Sequence, residues 1–298
     1  MKPFQTLAQV RCPDGSNITL HEHDGEHYIK HNGRQLMSTI ATVSELLLAD
    51  LGCRHLRNLA KPRVLIGGLG LGFTLKRVLE IVGPNAVVHV SELLPEVVQW
   101  NRELLGKVNG HLLDDPRVEV IVKDVFKVIH EAKGEHRYDS ILLDTDHTPS
   151  SWVQAKNVRL YERAGFVAVS KALRSNGLVA YWSAGEEPEF VQNLSRSGFR
   201  VQTYEAKAHP TAKRAVHRIY VGEQRPKEEG APAGAPSQKQ ASKGAPGRPA
   251  PGAGIQRAKA RRLEREKASA NPFMSPARIA GLERKEMLRA ERRPSSKK

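Results

Sequence analysis

Residues 63–74 read RVLIGGLGLGFT, a short apolar run that ends in glycines and passes into a helical spacing. Gly68, Gly70 and Gly72 stand in a GxGxG pattern. Glycine lets the backbone turn tightly and approach a ligand with no Cβ in the way. A helix that opens just beyond presents free N–H groups and the positive end of its dipole. Alone the pattern is weak. At the first strand–helix junction of a repeating series it marks a nucleotide- or nucleoside-binding turn.

Outward from that turn the series is there. Phe73–Val82 has helical spacing, AVVHVSE (86–92) reads as a second strand, and Pro95–Leu105 as a helix with proline where a first turn tolerates it. RVEVIV (117–122) is a third strand, Val125–Ala132 a short helix, and YDSILLD (138–144) a fourth strand. Val158–Arg174 is expected as a helix stopped by Asn176-Gly177. LVAYWSA (178–184), a helix over Pro188–Ser197, and the closing strands FRVQTYE (199–205) and AVHRIYV (215–221) follow. Continuous apolar strands alternating with helices predict an α/β, Rossmann-like, doubly wound and mostly parallel sheet.

Upstream, 18–38 reads as a small β-meander. Asp24-Gly25 and Asn32-Gly33 both suit two-residue hairpins. Turns there place Leu20, Ile29 and Leu36 in one apolar row across three strands. Thr39–Leu59 then has helical spacing, with Val43, Leu46, Leu47 and Leu51 on one stripe and Thr42 or Ser44 as the cap.

Downstream the composition changes. The whole chain is 39% hydrophobic, below the usual ~45–50%, and the shortfall lies after Gly222. Residues 222–298 carry 19 basic and 8 acidic side chains, so about +11 of the +15 formal charges sit there. Such a segment cannot bury enough apolar surface to fold and is read as a disordered basic tail. The expected division is 1–60 for the meander and its helix, 61–221 for the nucleoside-binding catalytic domain, and 222–298 for the tail. Tail charge alone supports weak, salt-sensitive binding of nucleic acid.

Two cysteines far apart, Cys12 and Cys53, fit no metal knuckle and no disulfide framework. MKPFQTLAQV has no apolar signal region, and no stretch approaches the ~18 apolar residues of a span. The expectation is a cytoplasmic protein with no membrane partner. HEHDGEHYIKH (21–31) is rich in ligand types, but beyond His21 and His23 spacing fixes no third ligand, so no metal is expected.

The chemistry should gather where the strands end. Glu92 closes the second strand about 20 residues past the glycines, as an acid for two ribose hydroxyls does. Asp124 follows the third strand and could accept from an adenine amino group. Asp144 and Asp146 close the fourth. Any one of these acids could be a helix cap or a solvated loop charge. Three successive strand ends behind one glycine loop favour a site. Trp152, Tyr161, Tyr181 and Trp182 are candidates for a pocket wall, with Tyr181 or Trp182 also fitting the core of the fifth strand.

VLIGGLGLGFT, VHVSELLPEVV, RVEVIVKDVF and YDSILLDTD together resemble the spermidine synthase (polyamine aminopropyltransferase) family, a branch of the class I methyltransferase fold. The resemblance covers roughly residues 29–221. It implies that Glu92 holds the ribose, Asp124 faces adenine, and Asp144 orients or deprotonates the attacking amine, with Asp146 beside it. The cosubstrate would be decarboxylated S-adenosylmethionine or S-adenosylmethionine itself, and the acceptor a small-molecule amine. A homodimer is within the resemblance. The chain departs from the family in three places. Leu71 stands where an acid is usual, Asp146 follows Asp144 by two residues and not three, and Thr-Val-Ser-Glu-Leu (42–46) keeps only Glu45 of a Tyr-His-Glu. Aminopropyl transfer is the first reading. Methyl transfer to an unknown acceptor is the second. A non-catalytic nucleoside platform with a nucleic-acid-binding tail is the third.

Overall fold

The computed structural model describes residues 3–12, 15–145 and 159–224. Asp146, Trp152 and the tail beyond Gln224 lie outside the described residues.

Four strands, β1 (Gln5–Arg11), β2 (Asn17–His23), β3 (Glu26–His31) and β4 (Arg34–Ser38), form an antiparallel sheet in that order. Asp24, Gly25, Asn32 and Gly33 all have positive φ, between 47° and 86°, as two-residue hairpin turns of this kind require. Leu20 pairs with Ile29 as expected. Ile29, however, pairs with Met37 and not with Leu36, because the register slips between Ile29 and Lys30. An extra residue on one strand bends it and re-aims its side chains. Leu36 and Met37 both line one cavity as a result. β1 was not expected, since no turn dipeptide announces it.

The large sheet contains β5 (Arg63–Gly67), β6 (Val87–Glu92), β7 (Val118–Val122), β8 (Tyr138–Leu143), β9 (Leu173–Ser183), β10 (Phe199–Ala206) and β11 (His217–Gln224). Its order is β10-β11-β9-β8-β5-β6-β7. β5 to β9 are mutually parallel, and β11 runs antiparallel to both β9 and β10. Strand order reverses at β5, so the crevice that open α/β sheets use for ligands lies at its carboxyl end.

Among the described residues seven helices accompany the strands: α1 (Val43–Cys53), α2 (Phe73–Ile81), α3 (Pro95–Glu103), α4 (Gly106–Asn109), α5 (Val125–Glu131), α6 (Arg163–Ala172) and α7 (Pro188–Arg196). Successive β5 residues feed opposite layers, as the two-residue strand period demands. Val64 and Ile66 join the layer of α1, α2 and the meander residues Leu20 and Ile29. Leu65 joins the layer of α5 and α6, with Ile129, Phe166 and Val169.

Three boundaries differ from expectation. α1 is shorter than 39–59 and buries Ser44, Leu48, Ala49, Leu51, Gly52 and Cys53 in place of the Val43–Leu46–Leu47 stripe. Gly52 sets this face: a Cβ there would stand 2.9 Å from Leu142, and its carbonyl accepts from Ser140 Oγ at 2.7 Å. Asn176-Gly177 does not cap α6, which ends at Ala172. Leu173 already pairs with Tyr138, and Asn176, at φ 63°, lies in an irregular part of β9. The tail boundary also moves. Gly222 and Glu223 pair with Val179 and Leu178, so strand continues through Gln224.

Candidate active site

The loop after β5 is shaped by its glycines. Gly68 has φ 97°, and a Cβ on it would meet the Asp144 carbonyl oxygen at 2.3 Å. Gly70 has φ 51° and faces the Met37 sulfur, which a Cβ would approach to 2.6 Å. Only glycine lets the loop lie this close to β8 and β4. Gly72 is the left-handed cap of α2 and faces Asn101, Asn109 and Leu112. Those two asparagines brace the loop from behind. Asn101 Nδ2 donates to the Gly70 carbonyl at 2.8 Å, and Asn109 Nδ2 donates to Asn101 Oδ1 at 2.8 Å. Both are buried, and nothing in the glycine pattern pointed to them.

Glu92, at the end of β6, is tied to the same loop. Its Oε2 accepts from Leu69 N at 3.0 Å, and its Oε1 accepts from Leu93 N and Leu94 N at 2.8 and 3.0 Å. Burial pushes its carboxyl above the ordinary value, against the pull of these backbone donors. The Gly70 N–H pulls on it as well, so the glycine loop and the turn after β6 grip this carboxylate together. Asp124 caps α5 by accepting from Phe126 N at 2.9 Å, and its other oxygen accepts from Arg159 Nη2 at 2.8 Å. Capping and ligand contact are compatible here, since a carboxylate has about four lone-pair sites and these two donors leave some spare.

Asp144 follows β8. Its backbone N donates to the Gly67 carbonyl at 2.9 Å, and its Oδ2 accepts from Thr74 Oγ1 at 2.5 Å. Burial pushes its carboxyl up to about 6, while the Thr74 bond pulls the other way. The companion charge is Glu45, in the first turn of α1. Burial, then the charge of Asp144, pushes Glu45 up to about 7. Ser44 does not cap α1; its hydroxyl donates to Glu45 Oε2 at 2.6 Å. Sequence reading noticed Glu45 only as a remnant of a motif, and missed Thr74, whose position two residues past Gly72 was the available clue.

Gly68, Gly70, Glu92, Asp124 and Asp144 thus meet around one cavity of about 130 Å³. Ile18, Ile29, Leu36 and Met37 close it from the meander side. Among the described aromatic candidates, Tyr161, Tyr181 and Trp182 are not in its wall. Tyr181 is fully buried among Tyr161, Phe166 and Phe190, with ring centroids 4.9–6.4 Å apart. Trp182 packs against His217 at 4.8 Å. His21 bonds to Thr19 Oγ1 at 2.8 Å, and His23 stacks on Phe4 at 4.3 Å. Among the described residues no group of three or more His, Cys, Asp or Glu forms a metal centre. Among them, too, no helix is long and apolar enough to cross a membrane.

Known proteins resemble this chain in sequence and in fold. The polyamine aminopropyltransferase of Bacillus subtilis is 29% identical over 135 residues, 45% of this chain and 46% of that one. Polyamine aminopropyltransferase 1 of Hyperthermus butylicus is 36% identical over 119 residues, 39% of each chain. The chain therefore matches just under half the length of these relatives. A solved spermidine synthase in complex with the transition-state analogue AdoDATO superposes with a TM-score of 0.57 at 18% identity, over 73% of this chain and 72% of that one. That likeness is one of fold. Residues 42–226, from the cap of α1 to just past β11, match the spermine/spermidine synthase domain as a whole. That match spans more than half of the chain, and the chain belongs to the spermine/spermidine synthase domain family.

Proposed function

We propose that the chain is a transferase that moves an aminopropyl group from decarboxylated S-adenosylmethionine to a small amine. The observation that carries this is Asp144, half-buried in the cavity wall at the end of β8 with Thr74 on one oxygen, and Glu45 on α1 near enough to feel its charge. Two carboxyls held at about 6 and about 7 await positive charge. A sulfonium donor with a free ammonium, and an amine acceptor, supply it.

The missing carboxylate of the donor fits the same surroundings. An intact S-adenosylmethionine carries a carboxylate that needs a cation. Among the described residues lining the cavity the cationic side chain is Lys123, and it is paired with Glu131 at 2.7 Å. Glu92 would take the ribose and Asp124 the adenine amino group, with Gly70 leaving space that a Cβ would fill.

Asp144 has the role of base. The acceptor nitrogen uses its lone pair to form a bond to the carbon next to sulfur. The C–S bond breaks and its electron pair goes to sulfur, so a neutral thioether leaves and needs no proton. The proton released from nitrogen passes to Asp144. A carboxyl at about 6 is well matched to this near neutral pH. Holding amine and carbon in line, out of water, supplies the rest.

The test is calorimetric titration with S-adenosylmethionine and its decarboxylated form, followed by transfer from each labelled donor to diamines and triamines. The decarboxylated donor is expected to bind at least about ten-fold more tightly and to give the aminopropylated product. Methyl transfer with no preference for the decarboxylated donor would replace the proposal with the methyltransferase reading. Binding without transfer to any acceptor would leave the nucleoside platform.

A further inference from the structure

Asp124 does not stand alone at the nucleobase end of the cavity. Its Oδ1 is committed to the Phe126 N–H and its Oδ2 to Arg159 Nη2, at 2.9 and 2.8 Å. The Arg159 guanidinium also lies over the Phe126 ring, 4.6 Å from its centroid. Phe126 is in turn the residue whose N–H Asp124 caps. Carboxylate, cation and ring thus form a closed set of three contacts. The Asp124 side chain is 17% exposed and that of Arg159 43%, so the pair is partly shielded from water on the carboxylate side.

We infer that Arg159 is a positioning residue for nucleobase selection, fixing the Asp124 carboxylate so that it accepts from a 6-amino purine and turns away a 6-oxo one. The inference rests on the nucleoside reading given above. A carboxylate held by one donor on each oxygen cannot rotate freely, and its remaining lone pairs keep a set direction. Arginine's flat fork and its affinity for aromatic faces suit it to hold both the oxygen and the ring. The acceptor-only character of an ionised Asp124 gives the discrimination. An amino group meets a lone pair; a carbonyl oxygen meets another lone pair, and both are left unpaired out of water. Arg159 itself need not touch the ligand, and it is absent from the cavity wall.

The experiment measures affinity for 5′-methylthioadenosine and 5′-methylthioinosine by calorimetry, in wild type, Arg159→Ala, Arg159→Lys and Asp124→Asn. Wild type is expected to prefer the adenine compound by about ten-fold or more, the scale of one charged hydrogen bond. Arg159→Ala should weaken the adenine compound several-fold and leave the hypoxanthine compound nearly unchanged, so the ratio falls. Arg159→Lys, which keeps the charge, should restore part of it. Asp124→Asn can present an N–H₂ and should move the ratio toward the hypoxanthine compound. If Arg159→Ala weakens both ligands equally, or neither, Arg159 is a structural tie and the inference is wrong. Should Arg159→Ala fail to fold by circular dichroism, Arg159→Gln decides by the same ratio. Wild type that binds neither compound overturns the nucleoside reading and the inference with it, an outcome distinct from binding with an unchanged ratio.

Discussion

Thr74 holds one oxygen of Asp144 and leaves the other to take a proton. Asp144→Asn keeps the shape and can keep the Thr74 bond, so it should fold and bind a neutral adenosyl thioether nearly as wild type does. Turnover should fall by about 10²-fold or more, the range for loss of a general base. Full turnover in this variant, measured with labelled donor, would make Asp144 structural. Glu45 and Asp144 also make a pH argument. Both carboxyls are raised, to about 7 and about 6, so the folded chain keeps protons that the unfolded chain has released. Their contribution to stability is therefore largest at low pH and is lost as pH rises from about 4 through about 7. Glu45→Gln removes one of these titrations. Its Tm, relative to wild type, should climb across that window, and a difference that is flat with pH would refute the pairing. At Glu92 the expected loss is larger for ligand than for fold. Removing a charged acceptor is worth about 1.5–3 kcal/mol, so Glu92→Ala should weaken any adenosyl ligand by roughly ten- to a hundred-fold in calorimetry.

The glycine loop touches two different elements, and substitutions separate them. At Gly68 an added Cβ meets the backbone of Asp144, which cannot yield. At Gly70 it meets the tip of the Met37 side chain on β4, which can. Gly68→Ala is expected to cost about 1–3 kcal/mol from its positive φ, plus the collision, and to abolish nucleoside binding. Gly70→Ala should be milder, and Met37→Ala should recover part of its loss; Tm values for the three variants and the double variant check this. The strands from β5 to β11 were legible because β5, β6 and β8 are apolar runs between clear breaks and the others carry apolar residues at strand spacing. The irregular pieces were not. Asn176-Gly177 has the chemistry of a helix stop and is used inside a strand, because Leu173 gains a partner in Tyr138. The slip beside Ile29 is invisible in a turn dipeptide, which fixes where a hairpin turns but not whether its partner strand carries an extra residue. At the site, acids at strand ends were readable from their position. Asn101, Asn109 and Arg159 were not, since their roles come only from what the fold brings beside them.

For the molecule as a whole, the division of labour between fold and tail can be tested by where the chain is cut. Gln224 pairs with Phe199, and its side chain bonds to Ser170. A chain ending at Gln224 should keep its Tm and bind the cosubstrate within a few-fold of the full chain, since every described residue of the site lies before it. A chain ending at Val221 loses the pairs to Leu178 and Val179 and should melt lower. If both truncations unfold by circular dichroism, residues past 224 are part of the fold. β11 has a further consequence, for the chain as it is made. β9 and β10 do not pair with each other; β11, the last of the described strands to be synthesised, is inserted between them. A nascent chain therefore leaves the ribosome with two open strand edges and cannot seal them until residue 224 is out. At least 74 further residues follow, and at about 5–20 per second they hold the chain on the ribosome for several seconds. During that interval the last strand can find its slot while the chain is still tethered and cannot meet another copy of itself. Stalling translation inside 217–224 should yield aggregates, and stalling well beyond it a soluble, ligand-binding chain.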